Sequence, residues 1–297
     1  MNNSGWSRTE SPFHQGELAV QTKLGVRERV DRQGRRMIRE YLTEQHQQFF
    51  SQLPYLVIGT VDQIDNPWSS IMFGEPGFVR IISDRIIQIN TQILAGDPLI
   101  LGLREGADIG LLGIELPTRR RNRINGVVSK VEENRLEIEV QQTFGNCPQH
   151  IHPRIIKTGD FSDRKKIEKI TSLDRVTKNL IAQADTFFIA TAYQNTQRDM
   201  TSGVDVSHRG GKPGFIQIDD PQTLTIPDFS GNNHFNTIGN LELNPKAGLL
   251  FIDFATHNLL YLTGTVEIIW SGEEVASFEN AERLIRFSLK QGFYTGF

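Results

Sequence analysis

The sequence predicts a mainly β fold with flanking helices, produced by duplication of one strand-rich domain. Three observations carry that reading. Apolar, β-branched runs occur in two sets, and the glycines of their later matching members lie 137 or 138 positions apart. Turn residues divide each set into about six short strands, the pattern of a small barrel or sandwich. Two further segments place apolar residues at three- and four-residue steps, the period of a helix.

The first helical segment runs from Glu17 to Leu53, with Leu24, Val26, Val30, Met37, Ile38, Tyr41 and Leu42 as its inward stripe. Gly25 and Gly34 are expected to interrupt it. The first strand set follows: LPYLVIGTVD (Leu53–Asp62), PWSSIMFGEPGFVRI (Pro67–Ile81), GLLGIEL (Gly110–Leu116) and INGVVSKVE (Ile124–Glu132). The second set is DTFFIATAYQ (Asp185–Gln194), DMTSGVDVSHRGGKPGFIQI (Asp199–Ile218), GLLFIDF (Gly248–Phe254) and LTGTVEII (Leu262–Ile269). Gly77 and Gly214 are 137 apart, whereas Gly110 and Gly248, and Gly126 and Gly264, are 138 apart. A domain-sized period means duplication, not a solenoid. Ser69 and Ser202 are only 133 apart. A four-residue insertion is therefore expected in the HRGG stretch of the second copy. Between the sets, Ser162–Asp185 is expected to be helical, through Ile167, Ile170, Leu173, Val176, Leu180 and Ile181. The expected division is a helical extension over 1–50, a first copy over 51–160, a linker helix over 161–184 and a second copy over 185–297.

A net charge of -3 and a pI near 6.2 give no broad basic field, so nucleic acid is not an expected partner. Cys147 is the single cysteine, which rules out an internal disulfide and suits a reducing compartment. The first twenty residues lack a basic start followed by an apolar core. No apolar run is long enough to span a bilayer. A cytoplasmic protein without membrane association is expected.

The copies differ most in the interval between GFV and GLL of the first copy and its counterpart in the second. There the second copy is dense in hydrogen-bonding side chains: Asp228, Ser230, Asn232, Asn233, His234, Asn236, Thr237 and Asn240. TLTIPDFS is expected to be a strand that ends at Pro227. NNHFNTIGNLELNP is expected to be a short helix, N-capped by Asn232 or Asn233 and stopped by Pro245. A helix N-terminus after Ser-Gly is a natural seat for a phosphate. The same residue types also make plain loops.

Three stretches carry a family resemblance: SGVDVSHRGGKPGFIQID, LTIPDFSGNNHFNTIGNLELNPKAGLLFIDF and LYLTGTVEI. Together they resemble the FMN-binding split barrel of the pyridoxamine-5′-phosphate-oxidase-like superfamily, in its large tandem-domain form. SPFHQGELAVQTKLGVRERV and QQTFGNCPQHI resemble the same group. The resemblance implies two tandem split β-barrels forming a pseudo-dimer, with FMN in the groove between them. It places Ser207, His208, Arg209, Gly210 and Gly211 along the flavin ring, with His208 and Arg209 as candidates for proton donation or anion stabilisation. Pro227, Asp228, Phe229, Ser230, Asn233 and His234 would approach the ribityl chain and phosphate, followed by Asn236 and Thr237.

Many members are basic at the phosphate position, where this chain has Asn233 and His234. The missing charge would then come from TRRRNRING (Thr118–Gly126). In an alternating strand Arg119, Arg121 and Arg123 share one face, although a solvated basic strand edge is the preferred reading of that run. Cys147 is either a groove residue or a small buried hydrophobe. His150 and His152 lack a third ligand, so no metal is expected. The implied activity is FMN-dependent oxidoreduction of a small molecule, with NAD(P)H or a reductase as partner, by a monomer or a homodimer. The alternatives are a flavin carrier or sensor without turnover, and a haem-binding split barrel.

Overall fold

A computed structural model describes residues 5–94, 96–156, 166–195 and 199–296. The first copy forms a seven-stranded antiparallel sheet from β1 (Tyr55–Val61), β2 (Pro67–Phe73), β3 (Val79–Ser83), β4 (Ile86–Asn90), β5 (Asp108–Glu115), β6 (Arg120–Glu132) and β7 (Arg135–Gly145), in the order β2-β1-β5-β6-β7-β4-β3. After β8 (Lys166–Ile170), the second copy supplies β9 (Thr186–Tyr193), β10 (Gly203–Gly210), β11 (Gln217–Ile218), β12 (Thr223–Phe229), β13 (Lys246–Ile252), β14 (Leu259–Ile269) and β15 (Ala281–Gly296). Their order, β10-β9-β13-β14-β15-β12-β11, repeats the first with every number raised by eight. The protein is thus two tandem split barrels related by duplication. Each has its own apolar core, and a third cluster joins them through Val57, Trp68 and Leu112 on one side and Phe188, Val206 and Leu250 on the other.

The strand register fixes which residues correspond. Gly59 pairs with Gly110 in the first sheet, as Ala190 pairs with Gly248 in the second. The glycine that opens GLL in both copies has a physical cause. A Cβ on Gly110 would lie 2.4 Å from the carbonyl oxygen of Val204, and one on Gly248 would lie 2.4 Å from that of Pro67. Each barrel presses a main chain onto the other at corresponding points, and only glycine leaves room.

The register also corrects the expected insertion. Gly59 pairs with Ser69, and Ala190 with Val206. Ser69 therefore corresponds to Val206, 137 positions on, and not to Ser202. Gly59 and Ala190 are 131 apart, so the second copy gains six residues in the β9–β10 connection. Ser207–Gly210 is no inserted loop but regular strand, paired with Thr186–Ile189. Its polar side chains face a groove instead of a core, which hides the strand in the sequence.

The linker is only partly helical; residues 162–165 lie outside the described residues. Lys166–Ile170 pairs with Gly292–Gly296, because the long β15 offers an open edge there whose N–H and C=O groups need partners. Helix α4, as it stands in chain order after the three N-terminal helices, begins only at Arg175, capped by Asp174, and ends at Gln183. Those N-terminal helices are α1 (Gln15–Lys23), α2 (Arg27–Met37) and α3 (Glu44–Ser51). Gly25 breaks the run with φ +68°. Gly34 does not; it lies inside α2, where a Cβ would meet the Phe13 ring at 2.5 Å. The second break is at Ile38–Thr43, where Arg39 bridges to Thr143. Of the expected stripe Val30, Ile38 and Leu42 are buried, while Leu24 is exposed.

Strand β12 continues past Pro227 to Phe229. The short β11 pairs only Leu224 and Thr225, so the missing N–H of Pro227 removes no bond to it. Helix α5 (Asn236–Leu243) begins later than expected. Its N-cap position is Phe235, at φ 62° and without a side-chain cap; the Asn232 side chain instead accepts from the His234 N–H at 3.1 Å. The helix ends at Asn244, before Pro245.

Candidate functional site

A groove open to solvent lies where β6 and the segment after β7 approach β10, β12 and the start of α5. Its floor is an ion pair between the copies. Arg123 Nη1 donates to Asp205 Oδ1 at 2.9 Å, and both residues are buried. The Asp205 carboxylate also accepts from Asn125 Nδ2 at 2.9 Å and from Asn240 Nδ2 at 2.8 Å. Arg123 further donates to Ser207 Oγ, which accepts from Thr237 Oγ1 at 3.2 Å.

One wall is cationic. Arg121 Nε donates to the Cys147 carbonyl at 2.6 Å, and its Nη1 lies 3.4 Å from His208 Nδ1. Burial, then the neighbouring Arg123, lowers the Arg121 pKa to about 10, so its charge persists at neutral pH. The opposite wall holds Asp228 between two guanidinium groups. Arg209 donates to one oxygen and Arg283 Nη1 to the other at 2.7 Å. Arg283 also lies against the Phe235 and Trp270 rings, at 5.2 and 5.4 Å from their centroids. Phe215, Phe229 and Ile238 supply the apolar lining, and the exposed His150 ring stacks on Phe229 at 5.2 Å.

Most of the residues singled out in the sequence converge here. Ser207, His208, Arg209, Gly210, Pro227, Asp228, Phe229, Ser230, Asn233, Asn236 and Thr237 line the groove. Gly210 has no space for a side chain, since a Cβ would sit 2.0 Å from the carbonyl oxygen of His150. Gly211 falls outside, its N–H already given to the Asp185 carbonyl at 3.1 Å. His234 lies behind the wall, fully buried against Phe13 and Phe144, with burial lowering its pKa to about 4. His208 is also buried, and burial together with Arg121 and Arg209 holds its pKa well below the usual imidazole range. Its surroundings favour the neutral imidazole.

The arginine run is not a solvated edge. β6 is a central strand between β5 and β7, which turns Arg121 and Arg123 into the interface. Arg119 precedes the strand at φ 60° and stays exposed. Cys147 lines the groove. Sequence reasoning missed Arg283, Glu282, Phe235, Asn146 and Gln149. Only Arg283 had a signal: as an arginine among the apolar residues of β15, it needs a buried acid such as Asp228.

The corresponding place on the other side of the pseudo-dyad is filled. By register Arg123 corresponds to Tyr261 and Arg121 to Leu259. Ser207 corresponds to Ser70 and His208 to Ile71. There the Tyr261 hydroxyl donates to Asp97 Oδ2 at 3.0 Å and Ser70 Oγ to the same oxygen at 2.5 Å, all within a packed apolar cluster.

Residues 173–291 match the family model for pyridoxamine 5′-phosphate oxidase. No curated protein matches the chain. Among solved structures, a candidate pyridoxamine 5′-phosphate oxidase from Lactobacillus delbrueckii is 16% identical over 43% of this chain and 98% of its own, with a TM-score of 0.34. The heme storage protein HutZ from Vibrio cholerae is 15% identical over 42% and 94%, at 0.29. An FMN-binding protein from Syntrophomonas wolfei is 11% identical over 33% and 80%, at 0.26. Among the described residues no helix is long and apolar enough to cross a membrane.

Proposed function

We propose, from the match of residues 173–291 to the pyridoxamine 5′-phosphate oxidase family model, that the groove binds FMN and that the protein is an FMN-dependent oxidoreductase of a small molecule. One observation carries the reading. Four arginines, Arg121, Arg123, Arg209 and Arg283, line the groove beside the apolar Phe215, Phe229 and Ile238. A cationic lining with an apolar side suits a flat anionic ligand, and FMN offers a phosphate and an aromatic ring system.

Arg121 and Arg123 supply charge that Asn233 and His234 lack, and the first turn of α5 adds main-chain N–H groups. Ser207, Arg209 and Gly210 on β10 would lie along the ring. Phe215, Phe229 and Ile238 exclude water from it. Arg209 favours negative charge on a bound ring, and neutral His208 keeps that part of the floor uncharged. Bound flavin would supply hydride or single-electron transfer. Its reductant would be NAD(P)H or a partner reductase.

An absorbance scan of the freshly purified protein, followed by FMN titration of the stripped protein, tests this. Flavin bands whose released chromophore is FMN, or tight uptake of added FMN, are expected. A protein that stays colourless and takes up no FMN, or one with a Soret band, would sink the flavin reading.

A further inference from the structure

The N-terminal arm reaches the groove from behind. Helix α1 lies on α5 with glycine against glycine: a Cβ on Gly16 would sit 2.2 Å from the Gly239 carbonyl oxygen, and one on Gly239 would sit 2.5 Å from the Glu17 nitrogen. Val20 of α1 joins the core of the second barrel. At this contact Glu17 is buried. Its Oε2 accepts the His14 N–H at 2.8 Å, which closes a capping box. Its Oε1 accepts the side-chain amide of Asn236. One turn further on, Gln21 Nε2 donates to the His234 carbonyl at 3.2 Å, and Phe13 meets the His234 ring edge-on at 5.2 Å.

The segment held in this way needs holding. Asn233 and Phe235 both have φ 62°, and α5 has no side-chain cap of its own. Non-glycine residues in the left-handed region persist when their surroundings over-determine them. Here the surroundings are α1 and Phe13 as much as the second barrel.

We propose that Glu17 is a positioning residue for the groove: with Gln21, it holds Asn232–Asn236 in the conformation that presents Asn236 and the first turn of α5 to a ligand. This rests on the reading of the groove as a ligand site, but its first test does not need the ligand. Hydrogen exchange of the ligand-free protein, resolved by peptide, compares wild type with Glu17→Ala, Glu17→Gln and the exposed control Thr22→Ala. Glu17→Ala is expected to speed exchange over residues 232–238 by about tenfold while leaving β9 and β13 unchanged. Glu17→Gln keeps an oxygen for the His14 N–H, and its amide NH2 can donate to the Asn236 side-chain oxygen once that amide turns over, so it should stay within about threefold of wild type, as should the control. In an FMN titration, Glu17→Ala should bind about tenfold more weakly and Glu17→Gln close to normally.

Unchanged exchange over 232–238 in Glu17→Ala would overturn the proposal. So would a uniform rise across both sheets, which marks a purely structural role, or a failure of Glu17→Gln to rescue. If Glu17→Ala does not fold, Glu17→Gln and Gln21→Ala decide: local loosening over 232–238 in Gln21→Ala with near-normal exchange in Glu17→Gln supports it, and no loosening overturns it. Should wild type bind no FMN, the flavin reading falls while the exchange result still decides this one.

Discussion

Arg123 on β6 donates to Asp205 on β10 at 2.9 Å, and this buried pair joins the two barrels under the groove. Burial disfavours the charge on Arg123, and Asp205 offsets that cost. Removing one partner leaves the other ion buried without its counter-charge. Arg123→Ala should therefore destabilise the fold by about 3 kcal/mol or more. Denaturant unfolding measures it. A loss below about 1 kcal/mol would show that Asn125 and Asn240 satisfy Asp205 by themselves.

Arg121 differs in that it bonds the Cys147 carbonyl and His208, neither of them a carboxylate. Arg121→Ala breaks no ion pair, so its effect should fall on anion binding. FMN affinity is expected to drop about tenfold or more, with a melting temperature close to wild type. Equal affinity in a titration would remove Arg121 from the site.

Arg209→Ala combined with Asn233→Ala should weaken FMN binding while the fold survives, because Asp228 keeps Arg283. By register Arg209 corresponds to Met72, which sits in the first core. A conservative Met72→Leu should leave FMN binding unchanged. Full flavin occupancy in the double variant would refute the assignment.

One FMN per chain is the expected stoichiometry. Tyr261 and Leu259 occupy the positions that Arg123 and Arg121 hold at the groove, and Tyr261 is tied to Asp97. Isothermal titration counts the sites directly. Two equivalent sites per chain would mean that the filled side opens.

Acid should destabilise the protein early. Burial lowers the pKa of His14, His46 and His234 to about 4, from the 6.5 usual for an imidazole. The unfolded chain binds protons in that interval and the folded chain does not. The stability these groups contribute is present above pH 6.5 and lost as pH falls towards 4. Glu17 has the opposite sign: burial and the nearby Asp205 raise its pKa, so its contribution declines as pH rises above 4.5. Melting temperatures across that range, for wild type and Glu17→Gln, separate the two. A flat profile in wild type would mean that the three rings are not held neutral by burial.

The duplication was legible because main-chain contact leaves a mark in sequence. Gly110 and Gly248 are glycines for one steric reason, and their spacing agrees with the sheet register. The serine match failed because Ser69 and Ser202 answer to no shared contact; Ser202 belongs to the turn around Asp199. Groove strands were the hardest to read. Ser207–Gly210 carries loop-like residues because its side chains face an open groove, and the Arg120–Arg123 run looks like an edge until β5 and β7 are seen to flank it. Burial of charge depends on partners far away in the chain, and local pattern does not report them.

Glu17 and Asn236 are 219 residues apart. During synthesis α1 emerges first, and its partner follows on the order of ten seconds or more later. The first barrel can close around its own core once β7 has left the ribosome. Val20 must wait exposed, or be shielded by chaperones, until the second barrel arrives. The groove is the last part of the molecule to be completed, and a chain cut short before α5 can carry a finished first sheet but no site.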